Sequence, residues 1–199
     1  MLIRKSFKFE MAHIVRRAWS KRCSANVHGH SYVVECFLQG GSRILDNAQM
    51  VIDFGVVKEL FNDLVDSFDH SLCLWDVKEN KKLIKFAKAN FERVIVLPFN
   101  PSAEMQATFF CNMFNLLLRL NRKGEVAPPI DTNGAHPDVF VKSVRLHETV
   151  TGYAEADMGD YNSELCGNYF FSAGIRKDWK QSDLLRAALA ALVKSDHEI

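Results

Sequence analysis

The sequence predicts an α+β domain in which helices pack on one face of an antiparallel sheet. Three observations predict it. Period-two apolar runs come in pairs at both ends of the first 156 residues, and two longer runs at helical spacing lie between them. The resulting order (strand, strand, helix, short helix, strand, helix, strand, strand) lacks the regular alternation of a parallel βαβ architecture. A chain of 199 residues suits one well-cored domain with a tail, and the expected division is a domain over 1–156 and an extension over 157–199.

Taking the elements in order, Phe7, Phe9, Met11 and His13 share one side of a first strand, with Ser6, Lys8 and Glu10 on the other. A second strand runs from His28 to Gly40 and carries Tyr32, Val34, Cys36 and Leu38 on one face. Antiparallel pairing brings the end of the first beside the start of the second. The connection IVRRAWSKRCSANV is long for a hairpin, and long connections often carry binding residues. Asp53 is placed to cap a helix in which Val56, Val57, Leu60, Phe61, Leu64, Val65 and Phe68 recur at helical spacing; this helix ends in SFDHSLCLW. ENKKLIKFAKANFE reads as a short helix and RVIVLP as a short strand. In NPSAEM, Ser102 can cap and Glu104 falls in the first turn, where a carboxylate suits the helix dipole; the helix continues through MQATFFCNMFNLLLRL. GEVAPPIDTNGAHPD is a loop, and VFVKSVRLHETV and TGYAEA are two closing strands. In the extension, DMGDYNSELCGNYFFSAG is irregular and KDWKQSDLLRAALAALVKS is an amphipathic helix.

Composition narrows the function classes. With 25 basic and 24 acidic side chains and a formal charge of +1, nothing calls for nucleic acid or a membrane surface as partner. MLIRKSFKFEMAH alternates charged and apolar residues, unlike a secretory signal, and LLRAALAALV is about half the length that spans a bilayer. Five cysteines without a CxxC pair argue against a disulfide framework and for a reducing, cytoplasmic setting.

The chemistry concentrates in CSANVHGHSYVVE. On a strand, His28 and His30 project from the same side, with Gly29 between them, and His13 ends the neighbouring strand where pairing can bring a third imidazole near. Three neutral nitrogen ligands suit zinc and leave a fourth position for water or substrate. Cys23 is either a fourth ligand closing a structural site or a base standing off the metal; a nearby cation, with Lys21 and Arg22, would favour its thiolate. A non-haem iron oxygenase would instead want two histidines and a carboxylate, for which Asp69 or Glu148 are the candidates. Asp69 beside His70 is an arrangement suited to proton transfer. Glu148 ends the strand VFVKSVRLHET at the sheet rim, where a carboxylate can accept a fork of donors from a heterocycle.

In order, FKFEMAH, CSANVHGHSYVVE, MVIDFGVVK, FDHSLC, NPSAE and VRLHETVTG resemble the 6-pyruvoyltetrahydropterin synthase and 6-carboxytetrahydropterin synthase family, over roughly Met1 to Tyr153. The resemblance implies zinc bound by His13, His28 and His30, and Cys23 as the proton-abstracting base assisted by Asp69 and His70. It further implies Glu148 as the pterin anchor and a substrate contact at Glu104. It also implies the tunnelling fold, a four-stranded antiparallel sheet with two helices on one face. Three copies close a barrel, two trimers stack into a hexamer, and active sites lie between subunits. The implied substrate is 7,8-dihydroneopterin triphosphate, with Arg16, Arg17, Lys21 and Arg22 as candidates to meet the triphosphate. The spacer SANV has four residues, between the three usual in the 7-deazaguanine (queuosine) branch and the five of the biopterin branch. The expected activity is 6-carboxytetrahydropterin synthase, with 6-pyruvoyltetrahydropterin synthase or a non-catalytic zinc-binding protein as the alternatives. DVKENKKLIKFAKANFERVIVLPF and residues 157–199 exceed the family pattern.

Overall fold

A computed structural model of the chain describes residues 1–40, 49–123, 139–161, 163–165 and 167–179. Its elements are β1 (Leu2–His13), α1 (Lys21–Ala25), β2 (His28–Gln39), α2 (Phe54–Phe68), β3 (Ser71–Trp75), α3 (Lys81–Asn90), β4 (Val94–Leu97), α4 (Ala103–Lys123), β5 (Phe140–Thr149), β6 (Gly152–Asp157), β7 (Phe170–Phe171) and α5 (Ala173–Asp178). They form an α+β fold around one mixed sheet of seven strands in the order β6-β5-β2-β1-β3-β4-β7. The predicted four-stranded sheet is therefore the larger part of a wider one. β6, β5, β2 and β1 are antiparallel neighbours; β3 and β4 join β1 in parallel, and β7 closes the far edge antiparallel.

The missed strand β3 explains the difference. SLCLW follows α2 without alternation because both its faces are covered, as is usual for parallel strands. Cys73, Ile95 and Leu97 join the main core, whereas Leu74, Val94 and Val96 pack with Ile84 and Ala87 of α3 in a second cluster. Helices thus cover both faces at this end of the sheet, a correction to the expected single covered face.

The main core lies between the antiparallel strands and helices α2 and α4. Asp53 caps α2 as expected, its Oδ1 accepting from the Gly55 amide at 2.6 Å. Phe61 of α2 and Phe114 of α4 stack with ring centroids 4.1 Å apart, and Phe9 stacks on Tyr32 at 4.8 Å. In the extension, Leu165, Phe171, Ile175 and Trp179 belong to this core, and Trp179 Nε1 donates to Ser67 Oγ. The predicted C-terminal helix over 177–195 meets the described chain at its first three residues alone: Lys177 and Asp178 end α5, Trp179 follows as its C-cap, and 180–195 lie outside the described residues, as does the loop 124–138. No helix among the described residues is long and apolar enough to cross a membrane.

β1 and β2 position the site. They pair without a break from Leu2↔Gln39 to His13↔His28. A one-residue slip would turn both histidines of β2 to the other face.

Candidate active site

The register that sets His13 opposite His28 and Met11 opposite His30 puts all three imidazoles on the core-facing side of the sheet end. Their ring centroids are 4.5 Å (His13–His28), 5.3 Å (His13–His30) and 5.1 Å (His28–His30) apart. One ring nitrogen from each lies within 4.8 Å of the other two, and the set does not take in Cys23. His13 is fully buried. Its Nδ1–H donates to the Pro101 carbonyl at 2.8 Å, which leaves the Nε2 lone pair free. His28 Nδ1–H likewise donates to the Asn26 carbonyl at 3.1 Å. These second bonds fix tautomer and ring orientation, as expected of metal-binding histidines. Burial lowers the His13 pKa from its ordinary 6.5 to about 4, against the pull of the Pro101 bond and with the help of the neighbouring His28 and His30.

That neutrality changes the meaning of the nearest carboxylate. Glu148 Oε1 lies 3.5 Å from His13 Nε2 and 3.9 Å from His30 Nε2. With His13 neutral and its proton on Nδ1, the shorter approach is one of two lone-pair groups, whose repulsion a cation held by the three imidazoles would offset. The donor set, three imidazoles at one point, fits zinc. Tyr32, two residues beyond His30 on the same face, brings its hydroxyl to 3.4 Å from His13 Nε2 and 3.4 Å from Glu148 Oε1. Burial, with the adjacent Glu148 charge, pushes the Tyr32 pKa up and keeps the phenol protonated as a donor. Tyr32 was readable only as core; the signal for more is the continuation of the 28, 30 period to a hydroxyl. Gln106, fully buried, donates through Nε2 to the same Pro101 carbonyl at 2.9 Å.

Cys23 is half-buried in α1, and the Val15 amide donates to its carbonyl at 3.1 Å, which ties that turn to the exit of β1. Asp69 and His70 do form a pair, His70 Nδ1 to Asp69 Oδ2 at 2.9 Å. They sit at the start of β3: Asp69 Oδ1 accepts from the Glu10 amide at 2.7 Å and the His70 amide donates to the Glu10 carbonyl at 2.7 Å. This is the edge of β1 away from β2, the strand that carries His28 and His30. His70 takes φ 53° and is 76 % exposed. It lines an open cleft of about 370 Å³ that crosses β3, β1 and β2 past Glu10, Gly29, His30 and Ser31, so His70 and the ligand candidate His30 border the same cleft. Glu104 is exposed in the first turn of α4. The chain thus joins His13, His28, His30 and Glu148 in one cluster and leaves the Asp69–His70 pair and Glu104 outside it.

The model of the family described as 6-pyruvoyl tetrahydropterin synthase matches residues 2–158. The chain belongs to this family. The synthase family match takes in the whole antiparallel sheet, the three histidines and Glu148. A 6-carboxy-5,6,7,8-tetrahydropterin synthase of Helicobacter pylori strain J99 is 33% identical over 202 residues, covering 96% of this chain and 92% of the relative. One from Aquifex aeolicus is 31% identical over 172 residues, covering 77% and 95%. Among solved structures, an uncharacterized Wolinella succinogenes protein superposes with TM-score 0.60 at 20% identity, over 79% of this chain and 98% of that one. A catalytic-residue mutant of Plasmodium vivax 6-pyruvoyltetrahydropterin synthase does so with TM-score 0.53 at 18% identity, over 78% and 97%. The two structures support the fold.

Proposed function

We propose that this family member is a zinc-dependent 6-carboxytetrahydropterin synthase that converts 7,8-dihydroneopterin triphosphate on the 7-deazaguanine route. The observation that carries the reading is the convergence of three imidazoles beside Glu148 while Cys23 stands outside the ligand set. The names of the Helicobacter and Aquifex relatives favour the 6-carboxy product over the 6-pyruvoyl one.

His13, His28 and His30 would hold the zinc. When bound, it supplies Lewis acidity toward the substrate's side-chain hydroxyls, which acidifies the adjacent carbon-bound proton. Cys23 as thiolate takes that proton. The Asp69–His70 pair moves protons during side-chain rearrangement and triphosphate loss, with Asp69 fixing the imidazole tautomer through the 2.9 Å bond. Glu148 accepts the ring N–H and amino group of the pterin as a fork, and Tyr32 orients the carboxylate. Glu104 is a further substrate contact at the start of α4. Lys21 and Arg22, both exposed, meet the triphosphate.

His70 is exposed, and its strand β3 lies on the edge of β1 away from β2, so we read the complete site as shared between copies. Strand edges support this: among the described residues β1 pairs with β3 over Met11–His13 alone, which leaves most of one edge without a strand partner at one end of the antiparallel sheet while β6 presents another. Edges of this kind pair between subunits. The proposed assembly is a hexamer of two trimers.

The test is incubation of the purified, zinc-loaded protein with dihydroneopterin triphosphate and identification of the product by mass. 6-Carboxytetrahydropterin with acetaldehyde is the expected result; 6-pyruvoyltetrahydropterin would move the chain to the biopterin branch. Cys23→Ala is expected to keep stoichiometric zinc and lose turnover by at least roughly a hundredfold. Loss of zinc and fold in that variant would instead make the cysteine part of a structural site.

A further inference from the structure

The turn that carries Cys23 has little to hold it. α1 is five residues long and buries none of them; a helix this short is not stable by itself, and without an apolar anchor its position depends on polar ties. Ser20 caps it, and the Val15 amide holds the Cys23 carbonyl. Within the turn Ser24 Oγ donates to the Ser20 carbonyl at 2.9 Å and Asn26 Nδ2 to the Lys21 carbonyl at 3.1 Å, and a further tie comes from outside it. Arg16 Nη1 donates to the carbonyl of Ser24, the residue after Cys23, at 2.9 Å, while Nε of the same guanidinium donates to Asn80 Oδ1 at 2.7 Å.

Asn80 belongs to the segment between β3 and β4. It is fully buried, and its Nδ2 donates to the Trp75 carbonyl at 2.9 Å, so its amide is fixed at both ends. Asn100 grips the arginine main chain from the other side: Oδ1 accepts from the Arg16 amide at 3.1 Å and Nδ2 donates to the Arg16 carbonyl at 2.6 Å. Arg17 holds φ at 66°, a left-handed conformation that costs a non-glycine residue about 1 kcal/mol or more. It is kept there by Trp75, whose ring centre lies 4.6 Å from the guanidinium, and by Glu79 at 3.2 Å. Trp75, Glu79 and Asn80 therefore clasp the Arg16–Arg17 corner, and Arg16 passes the restraint to the Cys23 turn. Its side chain is engaged with protein carbonyls, unlike a free surface cation waiting for phosphate.

We infer that Asn80 and Arg16 are positioning residues for Cys23: the β3–β4 segment fixes the turn that presents the base. This rests on the reading of Cys23 as the proton-abstracting base. A misplacement of about 1 Å can cost a hundredfold in rate, so loss of a tie falls on turnover more than on binding.

The experiment compares wild type, Asn80→Ala and Arg16→Lys, zinc-loaded, for zinc content, kcat and KM with dihydroneopterin triphosphate. It also measures the rate of Cys23 alkylation by iodoacetamide without substrate, with Cys23→Ser supplying the background from other thiols. The expected result is kcat lowered about tenfold or more with KM and zinc unchanged, and an alkylation rate altered at least about threefold. Guanidinium ion at sub-denaturing concentration is expected to restore part of kcat to Arg16→Ala. Unaltered kcat and alkylation in both variants, or a kcat loss that tracks zinc loss, would overturn the inference. If Asn80→Ala does not fold, Arg16→Lys decides alone. If wild type does not turn over dihydroneopterin triphosphate, the proposed function fails, while the alkylation rates still decide the clamp.

Discussion

Acidifying the metal-free protein should expose the cost of burying His13. The imidazole is fully buried, and burial is the largest cause of its pKa falling from 6.5 to about 4. An unfolded chain takes a proton on this residue as the pH drops through 6.5, whereas the folded chain resists until about 4. The folded state therefore binds fewer protons in that window, and stability falls with falling pH across it. Above 6.5 the residue contributes no pH dependence, and below 4 the loss is complete. At about 1.4 kcal/mol per pH unit the whole shift amounts to roughly 3 kcal/mol, of which roughly 2 kcal/mol falls between pH 7 and pH 5.

Urea denaturation of the metal-free protein across this range, beside His13→Asn, isolates the contribution. The asparagine amide can still donate to the Pro101 carbonyl but does not titrate. The variant should lose about 2 kcal/mol less than wild type between pH 7 and pH 5. Equal losses in the two proteins would refute a neutral, desolvated His13, and with it the argument that Nε2 and Glu148 face each other as two lone-pair groups.

Glu148→Ala should fold and retain zinc, yet bind the pterin roughly ten- to a hundredfold more weakly, because a charged fork of hydrogen bonds is lost; isothermal titration that finds unimpaired affinity would remove Glu148 as the anchor. At Gly29, an added Cβ would lie 3.2 Å from the Met11 carbonyl oxygen, so Gly29→Ala must ease β2 away from β1 between two ligands. Zinc affinity, measured by competition with a chromophoric chelator, should drop roughly tenfold, and an unchanged value would mean the strand pair yields without moving the imidazoles. Phe114→Ala removes a fully buried ring stacked on Phe61 at 4.1 Å and should cost about 3–5 kcal/mol in denaturant unfolding; less than about 1 kcal/mol would show that α2 and α4 close the gap freely.

Much of the fold was legible where one face of an element is wet. β1 and α2 bury one side and solvate the other, and β2 keeps its most deeply buried residues on one side, so alternation or helical spacing marks them directly. β3 and β4 were harder for the opposite reason. All four residues of β4 and most of SLCLW are covered on both faces, which erases the period. Only RVIVLP, bounded by Arg93 and Pro98, could be read as a strand. The two-residue β7 is below what any pattern can register; it exists because Val96 and Ile95 offer it an edge.

The site divides along a similar line. The three histidines and Glu148 are legible because strand register converts sequence spacing into a common face, and His13↔His28 follows from pairing two strands end to end. What register cannot convey is which neighbours fix a ring. Pro101, distant in sequence, decides which His13 nitrogen is free, and Tyr32 reads as one more core aromatic until its hydroxyl is seen beside Glu148. The Asp69–His70 pair was legible as a pair, but its direction depends on His70 adopting φ 53° and on Glu10 holding both residues to the open edge of β1. Those contacts leave the imidazole exposed in the cleft that it shares with His30. An exposed proton-transfer pair completes the proposed chemistry when another surface closes over its cleft, which is why the edges of β1 and β6 that the described residues leave open and the exposure of His70 belong to one argument.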